Sequence, residues 1–339
     1  MRRTSRLPQS LGLTLSLASV AACSGCVAEP LPWQDSAPMA RMFLQLPFEA
    51  PATTPQGTLS AGVGLLNANS IIRASSPELD VDIHLETAQL TTMVRYGLSS
   101  RVELQLVVPV VIASSGFLDG PINAVESLFR ARNPLRLEPR SGETRFALRR
   151  SALQGRGTGP PSATIDMTRA GAGLGDVWAG VKLLIAEQSG GWPALAVRGA
   201  LKVPTGQAPY GSGEVDVGGS LLAGWTLRPV GLWIQLDVGV PTGSLAGVPI
   251  ATRPYGTVQV ATAWEVLEGF SLHAQASGHT SPLGGTGLDE LALPTFYVLL
   301  GSTVALTRSL DLTAGLVENV LSPGRGADFT VLLGMKAAL

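Results

Sequence analysis

The sequence predicts an all-β fold: a transmembrane, antiparallel, up-and-down β-barrel of about 12 strands, with ten to fourteen as the working range. Three observations support this. Apolar and polar residues alternate over many segments of about ten residues. The chain is 45% hydrophobic but only 14% charged. After its first residues it has no apolar run long enough for a membrane helix. A wall that faces lipid needs little charge, so a barrel explains this composition.

The alternation recurs along the chain with period two. In Arg101–Ile112, for example, Val102 and Leu104 fall on one face, and Glu103 falls on the other. The segments that alternate cleanly are Arg101–Ile112, Asp176–Ile185, Ala194–Val203, Leu232–Val240, Phe270–His279 and 328–339. The less regular ones are Thr58–Asn67, Thr87–Leu98, Val215–Leu227, Gly256–Leu267, Phe296–Leu306 and Leu310–Leu321. An even strand number places both barrel ends on the periplasmic side, with the longer connections at the outer surface after the first strand and every second one that follows.

Charge fixes which face of the alternation points inward. An Arg or Lys that faces lipid at mid-membrane costs roughly 2–4 kcal/mol, and every lysine of the chain lies on the polar face of its segment. A soluble β-sandwich would also alternate, but its polar face would be rich in Lys, Glu and Thr. Here that face is mainly Gly, Ser, Gln and Ala. The predicted lumen-facing charged residues are Arg95, Glu103, Asp176, Lys182, Arg198, Lys202, Asp237 and Lys336.

The N-terminal residues 1–26 are predicted to be a signal segment. A basic start is followed by the ten-residue apolar run Leu11–Val20, which is too short to span a bilayer. Val20-Ala21-Ala22-Cys23 fits a lipobox, in which Cys23 would be acylated. Cleavage by an ordinary signal peptidase after Ala28 is the alternative, and the sequence leaves both open.

The remaining chain divides into a short segment and the barrel. Residues 27–56 are rich in Pro and Ala and are predicted to be a periplasmic tether or a partial plug of the barrel mouth. Residues 57–339 form the barrel, interrupted by one long loop at 113–173 on the extracellular side. Helical spacing of apolar residues predicts a short helix over Pro121–Ala131 within this loop, and Arg145–Arg150 with Ala163–Arg169 is expected to form an additional hairpin.

The long loop is basic, with nine arginines and five acidic residues. Arginine binds phosphate and carboxylate through paired N–H groups. One hypothesis is therefore a lid or constriction that favours anions, or a clamp on lipopolysaccharide phosphates. The alternative, which we favour, is a solvated loop whose arginines pair with its own acids. The candidate anion contacts are Arg130, Arg132, Arg140, Arg145, Arg149 and Arg150.

Other chemistry is weakly indicated. Asp80, Asp82, His84 and Glu86 share one face of an extended segment and could hold a divalent cation, although a solvated strand end is the favoured interpretation. The only two cysteines lie within residues 1–26, so the barrel has no disulfide or thiol site. No spacing pairs a nucleophile with a base and an acid, so we predict neither an enzyme nor a cofactor.

Several short phrases together resemble one bacterial family. They are Val94–Leu98, Arg101–Leu104, Ser115–Gly120, Gly173–Val177, Leu201–Gly206, Gly211–Gly213 and Asp328–Thr330. The chain resembles the domain of unknown function 3187 family of predicted outer-membrane proteins over most of its length after about residue 57. The resemblance implies a barrel in the outer membrane and no particular activity. Leu339 stands at a position where outer-membrane barrels commonly have an aromatic residue.

Two functions are compatible with these observations. The first is a passive channel or transporter for small solutes. The alternative is a non-conducting structural or interaction barrel, and an outer-membrane hydrolase is disfavoured. Expected partners are outer-membrane lipid, with lipopolysaccharide as a candidate, and the machinery that inserts barrels. With 24 basic and 25 acidic residues, the charge argues against nucleic-acid binding. The sequence does not indicate an oligomeric state.

Overall fold

The computed structural model of the chain is a closed antiparallel barrel with twelve strand positions, which confirms the predicted fold. It describes residues 28–77, 79–118, 120, 122, 143–150, 165–245, 250–322 and 324–339, without the side chain of Arg150. The ring closes because the first strand pairs with the last, from Ser60 opposite Ala338 to Asn69 opposite Phe329.

The wall contains every strand except one outer hairpin. Its strands are β1 (Leu59–Ser75), β2 (Leu79–Gly97), β3 (Val102–Ser114), β6 (Gly171–Leu174), β7 (Val177–Ala186), β8 (Ala194–Val203), β9 (Asp216–Leu227), β10 (Val230–Pro241), β11 (Tyr255–Leu267), β12 (Phe270–His279), β13 (Thr295–Thr307), β14 (Leu310–Glu318) and β15 (Phe329–Ala338). β6 and β7 count as one position because both pair with β3. The hairpin consists of β4 (Arg145–Arg150) and β5 (Ile165–Met167).

The alternation of apolar and polar residues separates the two faces of the wall. In β7, Val181, Leu183 and Ile185 are exposed on the outside, whereas Lys182 and Leu184 between them are buried inside. The same pattern runs around the barrel, so the outer surface is a belt of Leu, Val and Ile that suits lipid. Among the described residues, no helix is long and apolar enough to cross a membrane.

The first two strands are longer than the sequence pattern indicates. β1 has 17 residues and β2 has 19, and they pair without interruption from Leu59 opposite Tyr96 to Ser75 opposite Asp80. The expected long connection after the first strand is therefore wrong, and residues 76–78 alone join the two. At roughly 3.3 Å per residue, both strands extend well beyond a hydrocarbon core of about 30 Å. We call the end to which they extend the outer end.

At the outer end β2 changes partner. Its lower half pairs with β3, from Glu86 to Gly97, and its upper half pairs with β4, from Leu79 to His84. The hairpin of the long loop thus adds to the sheet beyond the membrane and leaves the barrel count at twelve. Most of the predicted helix over Pro121–Ala131 lies outside the described residues.

Glu86 stabilises the point where β3 leaves β2. Its carboxylate accepts hydrogen bonds from the backbone N–H groups of Phe117 and Leu118 at 2.9 and 2.8 Å, and from the Asn67 amide at 2.8 Å. Gly116 has a φ of +66°, and a Cβ there would lie 2.0 Å from Glu86 Oε2. These contacts explain the glycine at the second position of the phrase Ser115–Gly120.

We predict that Gly116→Ala loosens this turn. A left-handed backbone costs a residue with a Cβ roughly 1–2 kcal/mol, and the new methyl group would also displace the Glu86 carboxylate. Hydrogen exchange at the amides of Phe117 and Leu118 should become faster. Gly120→Ala is the matched control, because a Cβ at that position meets no atom within 4 Å. Equal exchange rates in the two variants would contradict this account.

Candidate functional site: the occupied lumen

Residues 28–56, called the plug below, run inside the barrel. The first limb passes along the wall formed by β12 to β15, because Leu31 and Asp35 contact Gln275 and Tyr297. A 3-10 turn at Ala40–Met42 reverses the chain near the outer end. The second limb returns along the wall formed by β7 to β11 and reaches Gln56, which bridges to Gly97 before β1 begins. The plug therefore fills the lumen as an irregular hairpin.

The first limb is held by polar and aromatic contacts. Gln275 both accepts from the Leu31 N–H at 2.7 Å and donates to the Leu31 carbonyl oxygen at 3.2 Å. The ring of Trp33 packs against His279 and Tyr297, with ring centroids 5.3 and 5.0 Å away. At the mouth, Lys336 donates to Glu29 at 2.7 Å. The Lys336 ammonium lowers the pKa of Glu29, whose side chain is partly exposed at the mouth.

Asp35 is a buried carboxyl at the top of the first limb. It accepts from the Ala37 N–H at 2.9 Å and from the Tyr297 hydroxyl at 3.2 Å. Burial raises the pKa of Asp35 to about 6. Docking of the plug therefore favours the protonated form of this group.

The reversal of the plug lies within an apolar cluster at the outer end, called the outer cluster below. Met39, Met42 and Phe43 of the plug meet side chains from β2, β4 and the outer loops. Burial of this apolar surface favours the docked state. The outer cluster consists of Met39, Met42, Phe43, Ile72, Leu79, Val81, Ile83, Leu85, Ala113, Phe146, Leu148, Leu245, Ile250, Tyr255, Leu283, Leu288 and Leu291.

Lys202 fixes the start of the second limb. Its ammonium lies 3.0 Å from Asp176 and 2.9 Å from Asp216, and it donates to the Met42 carbonyl oxygen. Asp216 in turn accepts from the Leu44 N–H at 2.8 Å. A buried cation thus joins two wall carboxylates to the plug backbone.

The glycine-containing phrases of the sequence build this same node. Asp176 accepts from the backbone N–H groups of Gly206 and Ser212 at 2.9 and 2.8 Å. A Cβ on Gly211 would lie 2.8 Å from Asp176 Oδ1, so only glycine leaves room for the carboxylate. Thr205 accepts from the N–H of Val177 at 2.8 Å and closes the turn. The phrases Leu201–Gly206 and Gly211–Gly213 therefore meet at the carboxylate of Asp176, which belongs to the phrase Gly173–Val177 about 30 residues earlier.

Glu49 of the plug occupies a second polar node. Its carboxylate accepts from Lys182 at 3.0 Å, from Gln105 at 3.0 Å and from Arg198, and Arg95 lies 3.5 Å away. Burial alone would raise the pKa of Glu49, but Lys182, Arg198 and Arg95 together lower it below its ordinary range. We call these four wall residues the Glu49 clamp.

Phe48, next to Glu49, fills an apolar pocket of the wall. Trp233, Ala261 and Ala263 surround its ring, and Phe48 is fully buried. Gln235 accepts from the Glu49 N–H at 3.1 Å and so holds the backbone between the two side chains. The pocket and the clamp are therefore adjacent on the inner wall.

A cavity of about 940 Å³ remains beside the plug near the mouth opposite the outer end. Both limbs line it, and Phe48, Glu49 and Arg95 lie at its edge. Its wall combines apolar side chains with the hydroxyls of Ser271 and Thr303. The lumen is thus only partly filled by the plug.

The structure places all eight charged candidates for the lumen on the inner face of the wall. Glu103, Lys182, Arg198 and Lys202 are among the most buried polar side chains of the described residues. Glu103 pairs with Lys182 at 3.1 Å and accepts from the Thr54 N–H at 2.6 Å. Asp237 lies 3.7 Å from Arg198.

The loop candidates are placed differently. Arg145 lies 3.1 Å from Asp166 and 3.5 Å from Asp82, and Arg149 donates to Asp166. These two arginines therefore pair with acids and join the hairpin to β2. Arg130, Arg132, Arg140 and the side chain of Arg150 lie outside the described residues, as does Cys23 with the signal segment 1–26.

The candidate cation ligands on β2 do not form a site. Asp82 lies 3.6 Å from Arg73 in addition to its contact with Arg145, and Glu86 holds the Phe117 turn. Asp80 accepts from Ser75. In the part of the chain that the structure describes, no three His, Cys, Asp or Glu side chains are grouped to hold a metal ion. All four candidates, Asp80, Asp82, His84 and Glu86, lie in the outer part of β2.

Sequence reasoning missed the acidic residues of the plug and one of the wall. Glu29, Asp35, Glu49 and Asp216 each contact a plug or wall partner inside the lumen. One signal was present. Glu49 stands alone among apolar residues and prolines in Pro47-Phe48-Glu49-Ala50-Pro51, and a lone carboxylate in such a run indicates a buried partner.

Comparison with known proteins supports the fold. The COG4313 outer membrane channel from Pseudomonas putida F1 is 14% identical, with a TM-score of 0.51, over 85% of this chain and 97% of that one. The NanC porin gives 10% identity and a TM-score of 0.42, over 83% of this chain and 100% of the porin. The Pseudomonas putida toluene transporter TodX gives 9% and 0.40, over 92% of this chain and 99% of TodX. Only the first is similar enough to bear on the fold.

Two sequence comparisons complete this picture. The model of the family described as protein of unknown function (DUF3187) matches residues 13–338. Among curated proteins, none matches the chain significantly.

We predict that Glu49→Ala weakens plug docking by about 3 kcal/mol, the low end for breaking a buried ion pair, because Lys182 and Arg198 keep Glu103 and Asp237. Hydrogen exchange of the plug amides should report the loss. Glu29→Ala is the matched control: its partner Lys336 is 38% exposed, so that pair should contribute less than about 1 kcal/mol. A smaller effect for Glu49 than for Glu29 would refute the assignment.

We predict that docking strengthens as the pH falls from 7 to 5. The pKa of Asp35 is about 6 in the docked plug and about 4 in the released plug, so the docked state takes up the extra proton in this range. The expected gain is about 1.4 kcal/mol. Glu29 and Glu49, whose pKa values are lowered, stay ionised throughout this window. Asp35→Asn should remove this part of the pH dependence of plug exchange, and an unchanged profile would contradict it.

Proposed function

We propose, from the premise that this chain belongs to the DUF3187 family of proteins of unknown function, that it is an outer-membrane channel for small solutes, closed by its own N-terminal plug. The observation that carries the proposal is the content of the lumen. It is filled by a segment that contributes no strand to the wall, and a cavity of about 940 Å³ remains beside it. A closed barrel with a lipid-facing belt needs no such separable filling to be stable.

The chemistry of the plug contacts supports a lumen that can fill with water. The inner wall carries Lys182, Arg198, Lys202, Asp176 and Asp216, all buried against the plug. A barrel whose only task was anchoring could be filled with apolar side chains, which avoid the desolvation cost of buried charges. Charged groups that face the lumen remain stable in water if the plug leaves, so the wall is compatible with both states.

Opening would require the plug to leave each of the wall contacts described above. These are the contacts of the first limb with Gln275 and Tyr297, the Lys202 node, the Phe48 pocket, the Glu49 clamp and the outer cluster. No pairing between wall strands has to break, because among the described residues of the plug only Gln56 forms a β-bridge to the wall, with Gly97 just before β1 begins. A local transition of this kind is less costly than opening of the barrel.

A non-conducting structural or interaction barrel is the second candidate. The observation that favours it is the outer cluster, in which 17 buried apolar residues close the outer end. Such a cluster would seal a barrel permanently if nothing displaced it. The two candidates therefore differ in whether any loosening of the plug produces a current.

We predict that Glu49→Ala increases the open fraction in single-channel recordings of the purified full-length protein in planar bilayers. The full-length wild type should open briefly and rarely, because its plug is docked. Removal of the carboxylate leaves the clamp without its plug partner and shifts the population toward release. The matched control is Glu187→Ala, which removes an exposed acid from the connection between β7 and β8 and should behave as wild type.

The recordings separate the two candidates. Folding of each variant is checked by its β-sheet circular dichroism before reconstitution. If none of the three correctly folded proteins conducts, the channel proposal is contradicted and the non-conducting alternative is supported. The three proteins are wild type, Glu49→Ala and Glu187→Ala.

A further inference from the structure

The wall contacts of Phe48 and Glu49 have the form of a ligand site. One residue inserts an apolar ring into a pocket lined by Trp233 and Ala263, and its neighbour presents a carboxylate to the Glu49 clamp. The two side chains come from adjacent positions of one extended segment. Together they resemble a single small molecule with an apolar body and one carboxylate.

The donors of the clamp suit a carboxylate. Lys182 and Gln105 each lie 3.0 Å from an oxygen of Glu49, and Arg198 donates to the same group. Such charge-assisted hydrogen bonds are stronger than neutral ones. Within the described part of the chain, Nε of Arg95 has no hydrogen-bond partner, so the clamp offers more donors than Glu49 uses.

The charge balance of the wall selects a single negative charge. The clamp contains three cations, and two wall acids contact them: Glu103 at 3.1 Å from Lys182, and Asp237 at 3.7 Å from Arg198. Without the plug, this part of the wall has one positive charge in excess. A monoanion restores neutrality, whereas a dianion would leave a buried negative charge without a partner.

One edge of the site is accessible. Phe48, Glu49 and Arg95 line the cavity of about 940 Å³, which extends to the mouth of the barrel. A molecule of the size of benzoate fits within such a volume. A solute could thus reach Arg95 beside the plug before the plug moves, whereas Lys182 and Arg198 are buried and become accessible only when Glu49 leaves.

We infer that the Glu49 clamp and the Phe48 pocket are a recognition site for small monocarboxylates with an apolar body, and that the plug occupies this site in the closed state. The inference rests on the proposed function, because it treats the lumen as a solute path. The plug is then an internal competitor of the solute, and binding of the solute favours release of the second limb.

The test is chemical rescue in the full-length protein. The double variant Phe48→Ala/Glu49→Ala vacates the pocket and the clamp and keeps the remaining plug contacts. Binding of benzoate is compared with binding of its neutral analogue benzamide, and the tryptophan emission and the thermal unfolding midpoint are recorded. Benzoate should bind at least about tenfold more tightly than benzamide, since hydrogen bonds to a charged group contribute more than neutral ones. Wild type, in which the site is filled, should bind benzoate more weakly than the double variant.

Added substitutions locate the binding. Lys182→Gln in the double variant should abolish the preference for benzoate. Lys336→Gln removes another inward cation, one that contacts Glu29 instead of Glu49, and should retain the preference. Trp233→Phe should remove the change in emission that benzoate causes, and it should leave the benzoate-dependent rise of the unfolding midpoint. If the double variant does not fold, Glu49→Ala alone is tested with acetate against acetamide.

The outcomes are separate from those of the conductance experiment. Equal affinity for benzoate and benzamide overturns the inference, even if the barrel conducts. A preference that survives Lys182→Gln overturns it as well, because the anion would then bind elsewhere. A barrel that stays silent but binds benzoate at the clamp refutes the proposed function and leaves the site established.

Discussion

The need to pair every backbone donor in lipid governs this structure. An open sheet edge has no partner in hydrocarbon, so β1 must meet β15 and the sheet must close. Closure creates an interior, and the alternation that makes the outside apolar makes that interior polar. A ring of twelve strands is too wide for its own side chains to fill completely. The plug occupies part of the space that the wall leaves, and its contacts follow from the side chains that the wall presents.

Charge balance then decides where the plug is held. Buried cations without a counter-charge are costly, and the wall acids near the clamp are fewer than the cations there. Glu49 supplies the missing negative charge at the clamp. At the second node, Asp176 and Asp216 of the wall are the counter-charges of Lys202, and Lys202 contacts the plug through the carbonyl oxygen of Met42. The first node is neutral only with the plug in place. The second node uses only backbone groups of the plug, the Met42 carbonyl oxygen as acceptor and the Leu44 N–H as donor, so the two nodes differ in how strongly they depend on it.

The alternation was sufficient to predict twelve strands, because a half-buried strand imposes period two on the sequence. The alternation was less useful for the bounds of the strands. Leu79 to Glu86 also alternates, but the predicted strand began at Thr87, because the pattern does not show that this segment continues β2 and pairs with β4 beyond the membrane. The sequence also could not decide between a tether and a plug. The plug has no repeating pattern, and its partners Gln105, Lys182 and Arg198 lie 56, 133 and 149 residues away from Glu49.

The path of the plug also constrains how the molecule assembles. Leu31 bonds to Gln275, 244 residues later, and Glu29 bonds to Lys336, 307 residues later. The part of the described chain that is synthesised first therefore gains its contacts only when the last strands are present, and such long sequence separation slows folding. Until the seam between β1 and β15 closes, water can reach the inward charges of the wall. We therefore expect these charges to lose their hydration at the stage of folding in which the plug is enclosed and Glu49 pairs with them.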